Sequence, residues 1–265
     1  MKLRNFFWSV VCVLACSCAC NNSAQEADYG WSEESEKPYE ERQIRNSLKS
    51  FTYKEAKPFF PGCETRILFD YDVELPVKGL SPEVINVMQQ NILSLAFNRT
   101  VSNTDWDSIV ASNVERLVND WKNSYLREVY EYGESSIMEQ TDYIKGRMLD
   151  PYSGIVSYVC DAYGDGYNTY KRSINMDVRT GQIVYESNLF RSGYRPILRE
   201  LLIEYLPNNV DKEYIDLNRF QPSDNFYITK AGITYIYPQG ELGSMADGII
   251  EVSIPWNAFT LLRVK

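Results

Sequence analysis

Residues 65–75 read Thr-Arg-Ile-Leu-Phe-Asp-Tyr-Asp-Val-Glu-Leu, and the period of that stretch decides the fold. Ile67, Phe69, Tyr71, Val73 and Leu75 fall on one side of an extended chain, and Arg66, Asp70, Asp72 and Glu74 largely on the other. Alternation with period two marks a strand with one buried and one wet face. The period then changes. Ser81-Pro82-Glu83 combines a capping hydroxyl with a proline in the first turn, and Val84, Val87, Met88, Asn91, Ile92 and Leu95 follow at helical spacing. A longer helix is expected after Thr104, where Ile109, Val110, Val114, Leu117, Val118, Trp121, Tyr125 and Leu126 make one apolar stripe. Such a stripe is far more often core than a cofactor box.

Beyond Ser135 the pattern returns to strands over 136–149, 154–162, 167–178 and 182–185. They are separated by Asp150-Pro151, Gly164-Asp165-Gly166 and Arg179-Thr180-Gly181, which read as the turns of antiparallel hairpins. Tyr194 to Leu206 reads as a helix with Pro196 in its first turn, and 226–230, 233–237 and 249–254 as three final strands. The expectation is an α+β protein: antiparallel sheets, two long helices in the N-terminal half, and one further helix before a small C-terminal sheet.

Composition prunes the functions. The 265 residues are 44% hydrophobic and 14% aromatic, a globular balance with enough chain for a core of its own. Lys and Arg number 27 against 36 Asp and Glu, a formal charge of -9, which argues against a partner made of nucleic acid phosphates. There is no histidine. That removes Ser-His-Asp and Cys-His catalysis and His-ligated zinc together.

The N-terminus reads as an export signal. Lys2 and Arg4 precede a mostly apolar run from Phe6 to Ala15, too short to span a membrane, and cysteines follow at once. Val13-Leu14-Ala15-Cys16 resembles a bacterial lipobox, so residues 1–15 are expected to be removed and Cys16 to carry the lipid, with Cys18 and Cys20 as alternatives. Losing Lys2 and Arg4 takes the basic count from 27 to 25 against 36 acids, a mature charge of -11. Residues 16–50, with seven acids and one base between Ala24 and Glu41, read as an acidic tether. The folded body is expected over 51–265, dividing at 190/191 if it forms two sub-domains. Cys63 and Cys160 are expected to be buried free thiols.

No catalytic motif emerges. Asp161-Ala-Tyr-Gly-Asp165-Gly-Tyr-Asn168 gathers oxygens without the spacing of a calcium loop and is better read as a turn. Neither a metal nor a cofactor is expected. Asp70 and Asp72 sit on a strand's wet face, where burial does not separate their pKa values. Most of the 20 tyrosines and five tryptophans read as packing, leaving an exposed minority for recognition.

Phe226-Tyr-Ile-Thr-Lys-Ala-Gly232-Ile-Thr-Tyr-Ile-Tyr237, followed by Gly240-Glu241-Leu242, Ala246, Gly248 and Glu251-Val-Ser-Ile-Pro255, resembles the end of the RsiV-type extracytoplasmic domain. Gly154-Ile-Val-Ser-Tyr, the turn from Tyr163 to Tyr167 and Asn175-Met-Asp177-Val-Arg-Thr-Gly181 are similar to its middle, so the resemblance spans roughly Thr65 to Leu262. Gly181 and Gly232 read as turn glycines suited to positive φ. Where the family often has a Gly-Gly-Ala-His-Gly turn this chain has Gly164-Asp165-Gly166-Tyr167, so nothing that depends on that imidazole carries over.

That domain occurs in lysozyme-sensing anti-sigma factors, beside polysaccharide deacetylase domains, and in envelope lipoproteins. The sigma-binding segment and the deacetylase domain are not recognisable here. The resemblance therefore implies a non-enzymatic recognition module, and with the N-terminal signal the expectation is one lipid-anchored in the envelope of a Gram-negative bacterium, on the periplasmic or surface face of the outer membrane. Its expected ligand is a basic, lysozyme-like protein or a cell-wall glycan. The alternatives are a carboxylate-dependent enzyme acting on peptidoglycan or polysaccharide, and a purely structural lipoprotein. Partner contact is expected at Glu241, Met245 and Asp247, with Tyr163 and Asp165 at a hairpin tip as the second candidate.

Overall fold

The alternating stretch is the second strand of a five-stranded sheet. A computed structural model describes residues 44, 47–132, 139–164, 168–208, 210, 215 and 220–262. The sheet comprises β1 (Leu48–Pro58), β2 (Arg66–Pro76), β3 (Gln140–Met148), β4 (Ile155–Gly164) and β5 (Asn168–Asp177), in that spatial order. Ile67, Phe69, Tyr71, Val73 and Leu75 are all buried on one face of β2, as the period requires.

Two helices cover that face: α1 (Pro82–Ala96) and α2 (Trp106–Tyr132). The Ser81 hydroxyl accepts the Val84 N–H at 3.3 Å and Pro82 occupies the first turn, so α1 starts where its sequence signals place it. Met88 and Ile92 meet Tyr71, Trp121 and Tyr158 in the first core. Burying one such aliphatic side chain is worth about 1.5–3 kcal/mol. Leu126, expected in the α2 stripe, is 51% exposed: Tyr125 and Val129 carry the packed face past it, and Leu126 lies to one side.

Three features differ from the hairpin reading. β1 begins at Leu48 with Ile44 buried ahead of it, so the body starts before Phe51. β2 and β3 pair parallel, with Tyr71 opposite Ile144, because α1 and α2 lie between them and return the chain in the same direction. The expected strand at 182–185 is reduced to a single bridge, Met176 to Ile183.

The second sheet, β6 (Phe226–Thr229), β7 (Gly232–Tyr237) and β8 (Ile250–Pro255), is antiparallel throughout and has its own core. Two helices precede it: the short α3 (Glu186–Leu189) and α4 (Arg195–Glu204), whose Leu198 and Leu202 are fully buried. Gly232 has no positive φ, contrary to the turn reading; a Cβ there would stand 2.0 Å from the Ile254 carbonyl oxygen. Close approach of β8 is what excludes a side chain.

The sheets meet through buried polar groups. Val156, Tyr158 and Cys160 of β4 face the helices, whereas Ile155 belongs to the second core and Ser157 accepts the Ile228 N–H at 2.8 Å. The Ser157 hydroxyl donates to Asn175 Oδ1 at 2.7 Å, and Asn175 Nδ2 donates to the Phe226 carbonyl at 2.8 Å. Asn225 completes the seam, accepting the Ser173 N–H and donating to the Lys171 carbonyl, each at 2.8 Å. Buried amides and hydroxyls are stable only when partnered, so this seam fixes one placement of β6 on β4 and β5.

Candidate functional site

The polar face of α2 is what opens a site. Asn113, Arg116, Asp120 and Ser124 recur at three- and four-residue steps and fall on one side of the helix. Across from them β3, β4 and β5 reach the ends at which their apolar face runs out. Asp142 follows the register of buried Ile144, and Tyr170 and Arg172 precede Ile174 on β5. Together these residues line a groove of about 370 Å³.

One network fixes the groove floor. Asn113 Nδ2 donates to the Tyr71 hydroxyl at 3.0 Å, and that hydroxyl donates to Asp142. Arg116 donates to Asn113 Oδ1 at 3.0 Å and to Asp120 Oδ2 at 3.1 Å. Burial first, then the Asp142 carboxylate, hold the Tyr71 phenol well above its ordinary value, so Tyr71 stays a donor. At the rim the Arg172 guanidinium lies 5.2 Å from the centre of the Tyr170 ring, which is 37% exposed. A second hollow, about 490 Å³, lies between Tyr53 and Lys57 of β1 and Val110, Val114 and Val118 of α2.

Of the residues expected from sequence, Tyr163 borders the groove, although its register partner is Tyr143 on the sheet's other face. Asp165, Cys16, Cys18 and Cys20 lie outside the described residues. Glu241, Met245 and Asp247 belong to the loop between β7 and β8. No described hydrogen bond or ion pair joins this loop to the groove. Met245 is 59% exposed. Asp247 accepts the Ser244 N–H at 2.7 Å and the Ser244 hydroxyl at 2.9 Å, and so caps a 3₁₀ turn over Met245–Asp247. Glu241 is exposed, yet partial burial pushes its carboxyl above the usual range.

The expected carboxylate pair on β2 is neutralised: Asp70 bonds Lys54 Nζ at 2.9 Å, and Arg147 bonds Asp72, holding its carboxyl below the ordinary value. Among the described residues no group of three or more acids and cysteines is placed to hold a metal ion. Both Cys63 and Cys160 are free, and burial pushes the Cys160 thiol up to about 12.

Sequence reasoning missed Glu186. It is 4% exposed, and neither carboxylate oxygen makes a well-aligned hydrogen bond among the described residues. Arg195 Nε stands 3.5 Å away and is itself drawn to Asp224, 2.6 Å from its other nitrogen. Burial raises the Glu186 carboxyl, and Tyr194, Tyr235 and Arg195 only partly oppose that. Neither hollow is lined by Glu186.

Residues 187–257, from α3 through β8 and its following turn, match the family model "Protein of unknown function (DUF3298)". No curated protein sequence matches the chain. A crystal structure of a DUF3298 family member from Bacteroides fragilis is similar with a TM-score of 0.69 at 16% identity, covering 82% of this chain and 93% of that one. A DUF3298 family protein from Pseudomonas aeruginosa PAO1 is similar with a TM-score of 0.53 at 15% identity, covering 82% and 94%. Residues 187–257 are thus similar to the DUF3298 model, and the chain's fold is similar to that of two solved proteins of that family.

Proposed function

We propose that this chain is a non-catalytic recognition module of the cell envelope, anchored by an acyl group on Cys16 or, failing that, Cys18 or Cys20, and that the groove between α2 and β3–β5 receives its ligand. The observation that carries the reading is the paired state of the groove. Arg116 is already joined to Asp120 and Asn113, Tyr71 to Asp142, and Arg172 to the Tyr170 ring. A preorganised mixture of donors and acceptors on rigid elements binds well. General acid catalysis needs a displaced carboxyl within reach of substrate: Glu186 lines neither hollow, and Glu241, displaced and exposed, lies on the β7–β8 loop and not in the groove.

A basic, lysozyme-like protein is a second reading, favoured by the formal charge of -9 and by exposed Met245 beside Glu241. The RsiV-type assignment belongs to that reading, since DUF3298 is related to that family. The test presents muropeptides and lysozyme separately to the full-length protein in detergent, following both binding and product release. Saturable binding with intact ligand is expected. Released product would favour the carboxylate-dependent enzyme, and no binding to either would favour a structural lipoprotein. Mass spectrometry of the mature N-terminus tests the anchor: a diacylglyceryl cysteine is expected, and a plain terminus beyond Cys20 removes it.

A further inference from the structure

Two guanidinium groups and two carboxylates line the groove, so it carries no net formal charge in a chain of -9. A phosphate or polyanion entering it would meet Asp120 and Asp142 beside the arginines, and a cationic peptide would meet Arg116 and Arg172. The recess therefore does not select by charge sign. It offers planar groups side by side, with the Arg116 fork 3.1 Å from Asp120 and 3.0 Å from Asn113. Such a pairing can donate to one hydroxyl and accept from its neighbour, the pattern that vicinal hydroxyls on a ring present. Tyr170 adds an aromatic ring at the rim, held by Arg172, for the apolar face of such a ring. The volume, about 370 Å³, lies within the usual range of small-molecule sites, about 300–1,000 Å³.

Resting on the reading above that this groove binds a ligand, we propose that it takes a neutral, hydroxyl-rich oligosaccharide. α2 supplies the hydrogen-bonding side and β5 the stacking side. Cell-wall glycan and storage or capsular glucans share that chemistry, and they differ in whether the rings carry N-acetyl groups.

Titration calorimetry of the full-length protein in detergent against N-acetylglucosamine tetramer and against maltotetraose tests this. Saturable binding of either supports the proposal, and a preference between them indicates the source. Tyr170→Ala and Asp120→Asn should each weaken binding about tenfold or more with the thermal midpoint unchanged, while Tyr185→Ala, at an exposed tyrosine outside the groove, should leave it as it was. Failure of both sugars to bind at millimolar concentration, or binding that ignores Tyr170→Ala and Asp120→Asn, overturns the proposal. If lysozyme binds while both sugars fail, the oligosaccharide is overturned and the recognition module stands. If a bound sugar is cleaved, the oligosaccharide class is upheld and the non-catalytic reading fails.

Discussion

The side-chain amide of Asn175 donates to the main-chain carbonyl of Phe226 at 2.8 Å, so a residue on the first sheet occupies a bonding position of the first strand of the second. Ser157 does the same for Ile228, and the two are bonded to each other at 2.7 Å. Asn175→Ala should therefore strand the buried Phe226 carbonyl and leave the Ser157 hydroxyl only its bonds with Ile228. The expected loss is about 1–3 kcal/mol by chemical denaturation. A change within 0.5 kcal/mol or so, the range of an ordinary surface substitution, would show that the seam does not hold the sheets.

Glu186 gives a pH dependence whose sign follows from its raised carboxyl. A carboxyl with a higher pKa folded than unfolded binds more protons in the native state, so stability falls as pH rises from the ordinary carboxylate range through the raised value. Glu186→Gln should remove that fall, and be at least as stable as the parent at neutral pH. Denaturation midpoints measured on both proteins across this range check it; parallel curves would mean that Arg195 compensates the charge fully.

Gly232→Ala places a methyl 2.0 Å from the Ile254 carbonyl oxygen, which cannot move without breaking the β7–β8 ladder. A fall in thermal midpoint of several degrees is expected, about 1 kcal/mol or more. An unchanged midpoint would mean that β8 can shift at no cost.

The two thiols of the folded body should differ in reactivity. Cys160 is 1% exposed with its thiol pushed up to about 12, whereas Cys63 is half-buried and lies 3.7 Å from the Tyr125 hydroxyl. The thiolate is the reactive form. Peptide mapping after iodoacetamide at mildly alkaline pH should find Cys63 modified in the native protein and Cys160 only in denaturant; native modification of Cys160 would indicate local opening of β4.

The strand at 67–75 and the two long helices were legible because a single buried face writes its own period into the chain. β1 was not: Lys49, Lys54 and Lys57 replace any clean alternation, because it is an edge strand with little to bury. The parallel pairing of β2 with β3 left no trace either, since period two says nothing about the partner's direction. Tyr163, read from its glycine-flanked turn as a partner contact, borders the groove. The rest of the groove comes from α1 and the turn after it, α2, β3, β4 and β5, where the polar residues read alone as an ordinary solvated face and Leu117 and Trp121 as core. Asp247, read as a recognition acid, also caps a turn, because Ser244-x-x-Asp247 is a local bonding pattern whose two ends satisfy each other. Glu186 lies one residue from exposed Tyr185 and Ser187, and its burial comes from a fold that single-residue context does not announce.

The polar seam also separates what is inherited together from what folds together. The family match begins at residue 187, yet β6 and Asn225 just ahead of it are bonded to Ser157, Ser173 and Asn175, all upstream of that boundary. A fragment cut at 187 would carry the recognisable signature and leave those main-chain groups facing water along an unprotected strand. Swapping this segment between relatives therefore transfers only half of a joint, and a chimera will hold only if its donor and recipient agree on the residues at 157, 173, 175 and 225.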